Sequence, residues 1–219
     1  MCSEYKWSLV LFDVDGTLVD SKAVILKAFH CALEHLGVPD RTDEQLSAYV
    51  GPPLSTAFHD MGFSGEDNRR AVDCYRTFYR KFFLDPLPFP GIETMLQHLT
   101  AAGIPLATAT SKQVYMARDQ LTYLHWDTYF TIIGGATPDP ACDKAAVIRD
   151  TLSQLEQRGV DTSRPVLVGD RFYDVEGAAH AGIPAIGVQW GYAEPDELDG
   201  AIHMVATPEE LTSLILQHH

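Results

Sequence analysis

Leu9-Val10-Leu11-Phe12-Asp13-Val14-Asp15-Gly16-Thr17-Leu18-Val19-Asp20-Ser21 is the stretch on which the fold turns. Leu9 to Phe12 are apolar without alternation, the pattern of a strand buried on both faces of a parallel sheet. The run stops abruptly at acidic and turn-forming residues, so polar chemistry gathers at the strand's carboxyl end. Similar short runs recur at 105–109, 129–133, 165–168 and 184–188. Between them lie helical patterns, among them Ile92, Met95, Leu96 and Leu99, and the segment 145–155. Strands alternating with helices predict an α/β fold: a doubly wound, mostly parallel, Rossmann-like sheet.

Residues 21–85 break this alternation. Ile25, Phe29, Ala32, Leu33 and Leu36 form one helical stripe, and Val72, Tyr75, Tyr79, Phe82 and Phe83 form another, with no strand pattern between them. The chain returns through Pro86, Pro88 and Pro90, a stiff connection. The expected organisation is an α/β core of residues 1–20 and 86–219 carrying an all-helical insert of residues 21–85. Ligand sites in open parallel sheets lie beyond the carboxyl ends of the strands. That rule directs attention to Asp13 and Asp15, to Thr110, and to Gly169-Asp170.

Composition narrows the function classes. Among 219 residues, 46% are hydrophobic and 21% charged, which excludes an intrinsically disordered chain. Asp plus Glu number 30 against 16 Lys plus Arg, a net charge of −14 whose field repels a nucleic-acid backbone. An anionic substrate then needs local cations or a metal. No apolar run approaches the roughly 18 residues of a membrane span. The opening Met1-Cys2-Ser3-Glu4-Tyr5-Lys6-Trp7 has no signal-peptide pattern. Four cysteines without a CxxC pair read as reduced thiols of a cytoplasmic protein.

Asp13 and Asp15, two apart at a strand end, can point the same way. The pair reads either as a turn or as a cation site, because adjacent carboxylates repel unless a cation or a proton separates them. A hard, oxygen-seeking ion such as Mg²⁺ fits the second reading. Asp170 and Asp174, spaced i and i+4 after another buried run, read either as an acidic helix cap or as a second half of that site. Thr110 and Ser111 end a strand ahead of a helix, so they serve as an N-cap or as a phosphate cradle of hydroxyls and backbone N–H groups. Lys112 reads as a solvated surface lysine or as a cation adding charge to that cradle. Lys144 falls in a helix's first turn behind Asp143, against the macrodipole, and reads either as an exposed lysine or as a cation placed there by acidic neighbours such as the carboxylate cluster. Gly51-Pro52-Pro53-Leu54 reads as a tight helix start or as a plain interhelical turn. Arg69, Arg76 and Arg80 share a helical face with Asp73 and read as a salt-bridged solvent face or as contacts for a substrate carboxylate.

Asp13-x-Asp15-Gly16-Thr17-Leu18-Val19-Asp20-Ser21, then Thr110, then Lys144, then Gly169-Asp170-x-x-x-Asp174, resembles the four ordered motifs of the haloacid dehalogenase superfamily. The likeness extends over nearly the whole chain. It is greatest to the phosphoglycolate phosphatase-like branch with a small α-helical cap, and Phe89-Pro90-Gly91-Ile92 is similar to the segment that re-enters the core. Gly51-Pro52-Pro53-Leu54 resembles a subgroup described as 5′-nucleotidases. One departure is that Ala145 follows Lys144, where many members have Lys-Pro.

The resemblance implies a Mg²⁺-dependent phosphatase acting on a small phosphorylated metabolite, with Asp13 as nucleophile and Asp15 as general acid and base. It implies that Asp13, the Asp15 carbonyl and Asp170 hold the metal, with Asp174 behind them. Thr110, Ser111 and Lys144 would bind the phosphoryl group, and Gly51, Pro52 and Pro53 would act on selectivity. A mutase of the β-phosphoglucomutase type shares these motifs. A receiver-like phospho-aspartate signalling module shares the chemistry but carries its phosphorylated aspartate on a later strand.

Overall fold

A computed structural model describes residues 6–51, 54–137, 142–194 and 196–217. The chain divides into two compact units, one comprising residues up to Val19 and from Pro88 onward, the other Asp20–Leu87. In chain order, strands β1 (Leu9–Phe12) and β2 (Val19–Asp20) precede helices α1 (Lys22–His35), α2 (Asp43–Ser47), α3 (Leu54–Asp60) and α4 (Gly65–Tyr79). Then come β3 (Leu87–Pro88), α5 (Ile92–Ala101), β4 (Leu106–Gln113), α6 (Val114–Tyr123), β5 (Ile132–Ala136) and α7 (Lys144–Gln157). The chain continues with β6 (Pro165–Gly169), α8 (Phe172–Ala181), β7 (Ala185–Val188), β8 (His203–Val205) and α9 (Pro208–Ile215).

The larger unit is built on one six-stranded sheet of order β5-β4-β1-β6-β7-β8, with every described pairing parallel. β1 sits inside the sheet and its four side chains are fully buried. Alternation across the pleat sends Val10 and Phe12 into one core, with Ile92, Met95, Leu96, Leu211 and Ile215. Leu9 and Leu11 enter the other, with Val147, Ile148, Leu155, Val175 and Ala178. A single apolar tetrapeptide therefore feeds both faces of a helix–sheet–helix sandwich, which is why it shows no alternation in sequence. The register sets the site: Phe12 pairs with Thr108 on one side and Val168 on the other. Asp13, Thr110 and Asp170 consequently emerge at one level of the carboxyl edge.

Three details differ from expectation. The 129–133 run is a 3₁₀ turn (Asp127–Tyr129) followed by β5 from Ile132, because Phe130 packs into the core as part of the connection. β8 has no counterpart among the apolar runs, since only Val205 of its three residues is buried. β4 runs on to Gln113, past Thr110 and Ser111, so α6 starts at Val114 and neither hydroxyl caps it.

The Asp20–Leu87 unit is helical. Phe29 of α1 packs against Tyr75 of α4 with ring centroids 4.6 Å apart and against Phe58 of α3 at 5.6 Å, around buried Ala32, Leu33 and Val72. α2 begins with a reciprocal cap: Gln45 N–H donates to Thr42 Oγ1, and Thr42 N–H donates to Gln45 Oε1. On the exposed face of α4, Arg69 pairs with Glu66 and Arg76 lies 3.8 Å from Asp73, so two of the three arginines read as a salt-bridged face have a carboxylate beside them on the same helix. Gly51 has φ +108° and α3 begins at Leu54, while Pro52 and Pro53 lie outside the described residues.

His30 of α1 stands 2.7 Å from Asp40 through Nδ1 and 2.7 Å from Asp43 through Nε2. Hydrogen bonds from both ring nitrogens require the imidazolium, and those to Asp43 and then Asp40 raise the His30 pKa above its ordinary value. A raised histidine pKa stabilises the fold below about pH 6.5, and that contribution is lost as pH rises through the folded-state value. The wild-type denaturation midpoint should therefore exceed that of His30→Gln below pH 6, and the difference should vanish above pH 8 in parallel urea titrations.

Candidate active site

Asp13 follows β1 directly and its N–H donates to the Val168 carbonyl at 2.9 Å, so its backbone is fixed by β6. Asp170 follows β6, and Asp174 lies in the first turn of α8. The three carboxylates present oxygens that all lie within 4.8 Å of one another. Asp170 is fully buried and Asp174 nearly so. Lys144, first residue of α7, has its ammonium 2.9 Å from Asp13 Oδ1 and 2.6 Å from Asp174 Oδ1. Asp143 caps that helix by accepting from Ala146 N–H at 2.7 Å, which places Lys144 at the helix start.

Charge does not balance in this cluster. Three carboxylates converge beside one lysine, which reaches two of them, and Asp13 Oδ1 has the ammonium at ion-pair distance but, among the described residues, no donor in hydrogen-bonding geometry. Burial, followed by the Asp174 and Asp13 charges, pushes the Asp170 carboxyl well above the usual range. Burial likewise raises Asp174, against the pull of Lys144. Burial alone would lower Lys144, but Asp13 and Asp174 outweigh it and raise its pKa. An uncompensated buried anion set with converging oxygens fits a hard divalent cation.

Asp170 is held from both sides. Thr17 Oγ1 donates to Oδ1 at 3.2 Å and Tyr192 N–H to Oδ2 at 2.9 Å, while Trp190 Nε1 donates to the Thr17 carbonyl at 2.9 Å. Gly16 has φ +85°, and a Cβ there would stand 2.2 Å from Asp170 Oδ2. A Cβ on Gly191 would stand 2.3 Å from the Asp170 Cβ. Bare backbone on two loops thus lets the carboxylate be enclosed. Asp174 Oδ2 accepts from the N–H groups of Asp170 and Arg171 at 3.1 and 3.0 Å. Asp174 therefore accepts from N–H groups at the start of α8 and also belongs to the acidic cluster.

Thr110 is buried and its Oγ1 accepts from Lys112 N–H at 3.2 Å. Ser111 is exposed, and Lys112, expected in solvent, is buried. The β4–β5 register shifts between Thr110 and Gln113. Lys112 is buried like Thr110, two residues before it, with exposed Ser111 between them, the alternation of a strand that runs on past Thr110. Its ammonium lies 2.8 Å from Asp15 Oδ1. The Asp15 side chain is thus paired away from the Asp13–Asp170–Asp174 group. Sequence reading missed the Thr17, Trp190–Tyr192 and Arg171–Glu197 contacts, the last an ion pair of 2.7 Å. An aromatic–Gly–aromatic triplet just after a buried strand was the available signal for the 190–192 loop.

Residues 10–188 match the profile of haloacid dehalogenase-like hydrolases. The chain is 39% identical over 202 residues to a Mycobacterium tuberculosis protein named tyrosine-protein kinase PtkA, covering 91% of this chain and 68% of that one. It is 33% identical to a Pseudomonas aeruginosa 5′-nucleotidase, covering 86% of each. Phosphoglycolate phosphatases of Neisseria meningitidis and Agrobacterium fabrum match at 31% and 30% identity, over 84% and 85% of this chain and 81% and 82% of their own. The crystal structure of a predicted phosphatase from Clostridium acetobutylicum superposes with TM-score 0.87 at 33% identity, covering 96% of this chain and 98% of that one.

The buried charge excess predicts an inverted stability effect. An Asn at position 170 can still accept from Tyr192 N–H and donate to Thr17 Oγ1, yet carries no charge. In EDTA at pH 7, Asp170→Asn should unfold at a higher temperature than the wild type, and added Mg²⁺ should raise Tm for the wild type only. A raised carboxyl pKa also makes the metal-free wild type lose stability as pH climbs above about 4, a trend the variant should show less. Calorimetric scans with and without Mg²⁺ measure all three effects.

Proposed function

The chain belongs to the haloacid dehalogenase-like hydrolases, and we propose that it is a Mg²⁺-dependent phosphatase of a small phosphomonoester working through an aspartyl phosphate. The observation that carries this reading is the convergence of Asp13, Asp170 and Asp174 at the carboxyl edge of the sheet, with Lys144 bridging Asp13 and Asp174. Asp13 attacks phosphorus in line, dividing one difficult displacement into two easier ones. Asp15 gives a proton to the departing oxygen and later takes one from the attacking water. Asp13, the Asp15 carbonyl and Asp170 hold Mg²⁺, and Asp174 steadies the arrangement through Lys144 and the α8 N-terminus. When bound, the ion neutralises charge so that one anion can approach another. Lys144, Thr110 and the Ser111 amide hold phosphoryl oxygens where charge concentrates in the transition state.

The helical unit acts in this reading as the substrate-selecting cap, with the Gly51-Pro52-Pro53 segment contributing to selectivity. Phosphoglycolate-like compounds and nucleoside monophosphates are the substrate classes that the named relatives favour. A second reading draws on the 39% identity to the protein named as a tyrosine kinase: Asp13 would pass its phosphoryl group to a tyrosine hydroxyl instead of water. Phosphate release, compared with label transfer to a tyrosyl peptide, separates the two.

Hydrolysis of p-nitrophenyl phosphate should require Mg²⁺ and stop with EDTA. Asp13→Asn should fall to background with an unchanged circular dichroism spectrum, and Lys144→Ala should lose at least ~10²-fold in kcat/KM. Full turnover in metal-free buffer would overturn the proposal.

A further inference from the structure

Lys112 is a buried ammonium that the phosphoryl-binding set leaves unused. Its side chain is 2% exposed, and Nζ lies 2.8 Å from Asp15 Oδ1 and 2.5 Å from Gln120 Oε1. Three features of the fold are shaped around this contact. The first is the β4–β5 register shift between Thr110 and Gln113, which brackets position 112. The second is Gly135 on β5: a Cβ there would stand 2.7 Å from the Lys112 carbonyl and 2.9 Å from the Val114 Cα, so the irregular backbone fits only against a glycine. The third is Gln120 on α6, fully buried, whose Nε2 has no hydrogen-bond partner among the described residues. Turning its oxygen to the ammonium leaves that buried amide nitrogen unsatisfied, a costly arrangement. Packing alone gives no reason for it, since an apolar residue at 112 and a leucine at 120 would fill the same space without buried charge.

We propose that Lys112, aimed by Gln120, is a positioning residue for Asp15. Pairing with Oδ1 fixes the carboxyl rotamer and commits proton transfer to Oδ2. This rests on the reading of Asp15 as the general acid and base. In the step concerned, an Asp13 oxygen forms a bond to phosphorus while the bond from phosphorus to the leaving oxygen breaks. The Oδ2 proton passes to that oxygen, and Asp15 remains as a carboxylate until water returns a proton. A side chain that only orients the acid matters when the leaving oxygen needs a proton and is nearly irrelevant when it does not.

Leaving-group dependence tests this directly. kcat/KM is measured in Mg²⁺ for glycerol 2-phosphate, whose alkoxide must be protonated, and for 2,4-dinitrophenyl phosphate, whose phenolate leaves unaided. Asp15→Asn, Lys112→Met and Gln120→Leu are compared with the wild type. Lys112→Met should lose about 10- to 10²-fold on the alkyl ester and less than about 3-fold on the dinitrophenyl ester, a fraction of what a general acid supplies. Gln120→Leu should lose less, with the same selectivity, and carries the test if Lys112→Met does not fold. Equal losses on both esters, a rise in KM alone, or unchanged kinetics in both variants would overturn the positioning role. If Asp15→Asn is leaving-group selective while the other two are not, this inference alone fails. If Asp15→Asn turns over the alkyl ester like the wild type, the acid–base reading fails with it.

Discussion

Mutual repulsion of three carboxylates sealed at the edge of a parallel sheet is the constraint around which the larger unit is organised. Asp13, Asp170 and Asp174 sit within one ion's reach, and one lysine touches two of them. Everything close by holds the charges in place: the Thr17 hydroxyl, the Tyr192 amide, the N–H groups at the start of α8, and loops whose glycines leave room for Asp170. Such an arrangement is costly in a low-dielectric setting, and it persists because both cores grip β1 and β6. Rigid strands convert that cost into a preorganised site.

The two aspartates of the first loop are treated differently. Each has its own ammonium, from a different element: Lys144 at the head of α7 serves Asp13, and Lys112 at the end of β4 serves Asp15. The division separates two side chains that a regular strand would bring side by side. It also places two buried positive charges beside carboxylates in a chain whose net charge is −14.

The placements of Asp13, Asp170, Asp174 and Lys144 were legible in the sequence because they follow from strand ends and helix starts, which short-range patterns reveal, whereas Thr110 lies inside a strand that runs on to Gln113. The burial of Lys112 was not legible. It depends on β4 running on past Thr110 to Gln113, so that strand alternation buries position 112, and on Asp15 and Gln120 standing beside it, which shows only in the folded chain. The Trp190–Tyr192 loop escaped for a related reason: its contacts with Thr17 and Asp170 span 173 and 22 residues of chain, and no local periodicity encodes them. β8 was invisible because an edge strand with one buried residue has no apolar run.

By itself, then, the sequence determined the parallel α/β core, the helical interruption after the first strand, and the ends of strands where chemistry belongs. Apolar runs and helical stripes are local consequences of burial, so they can be read without coordinates. The tertiary structure alone decided which ammonium meets which carboxylate, which oxygens converge, and which lysine is buried. Those outcomes depend on register between strands distant in sequence, where a shift of one residue reverses the side to which every side chain points.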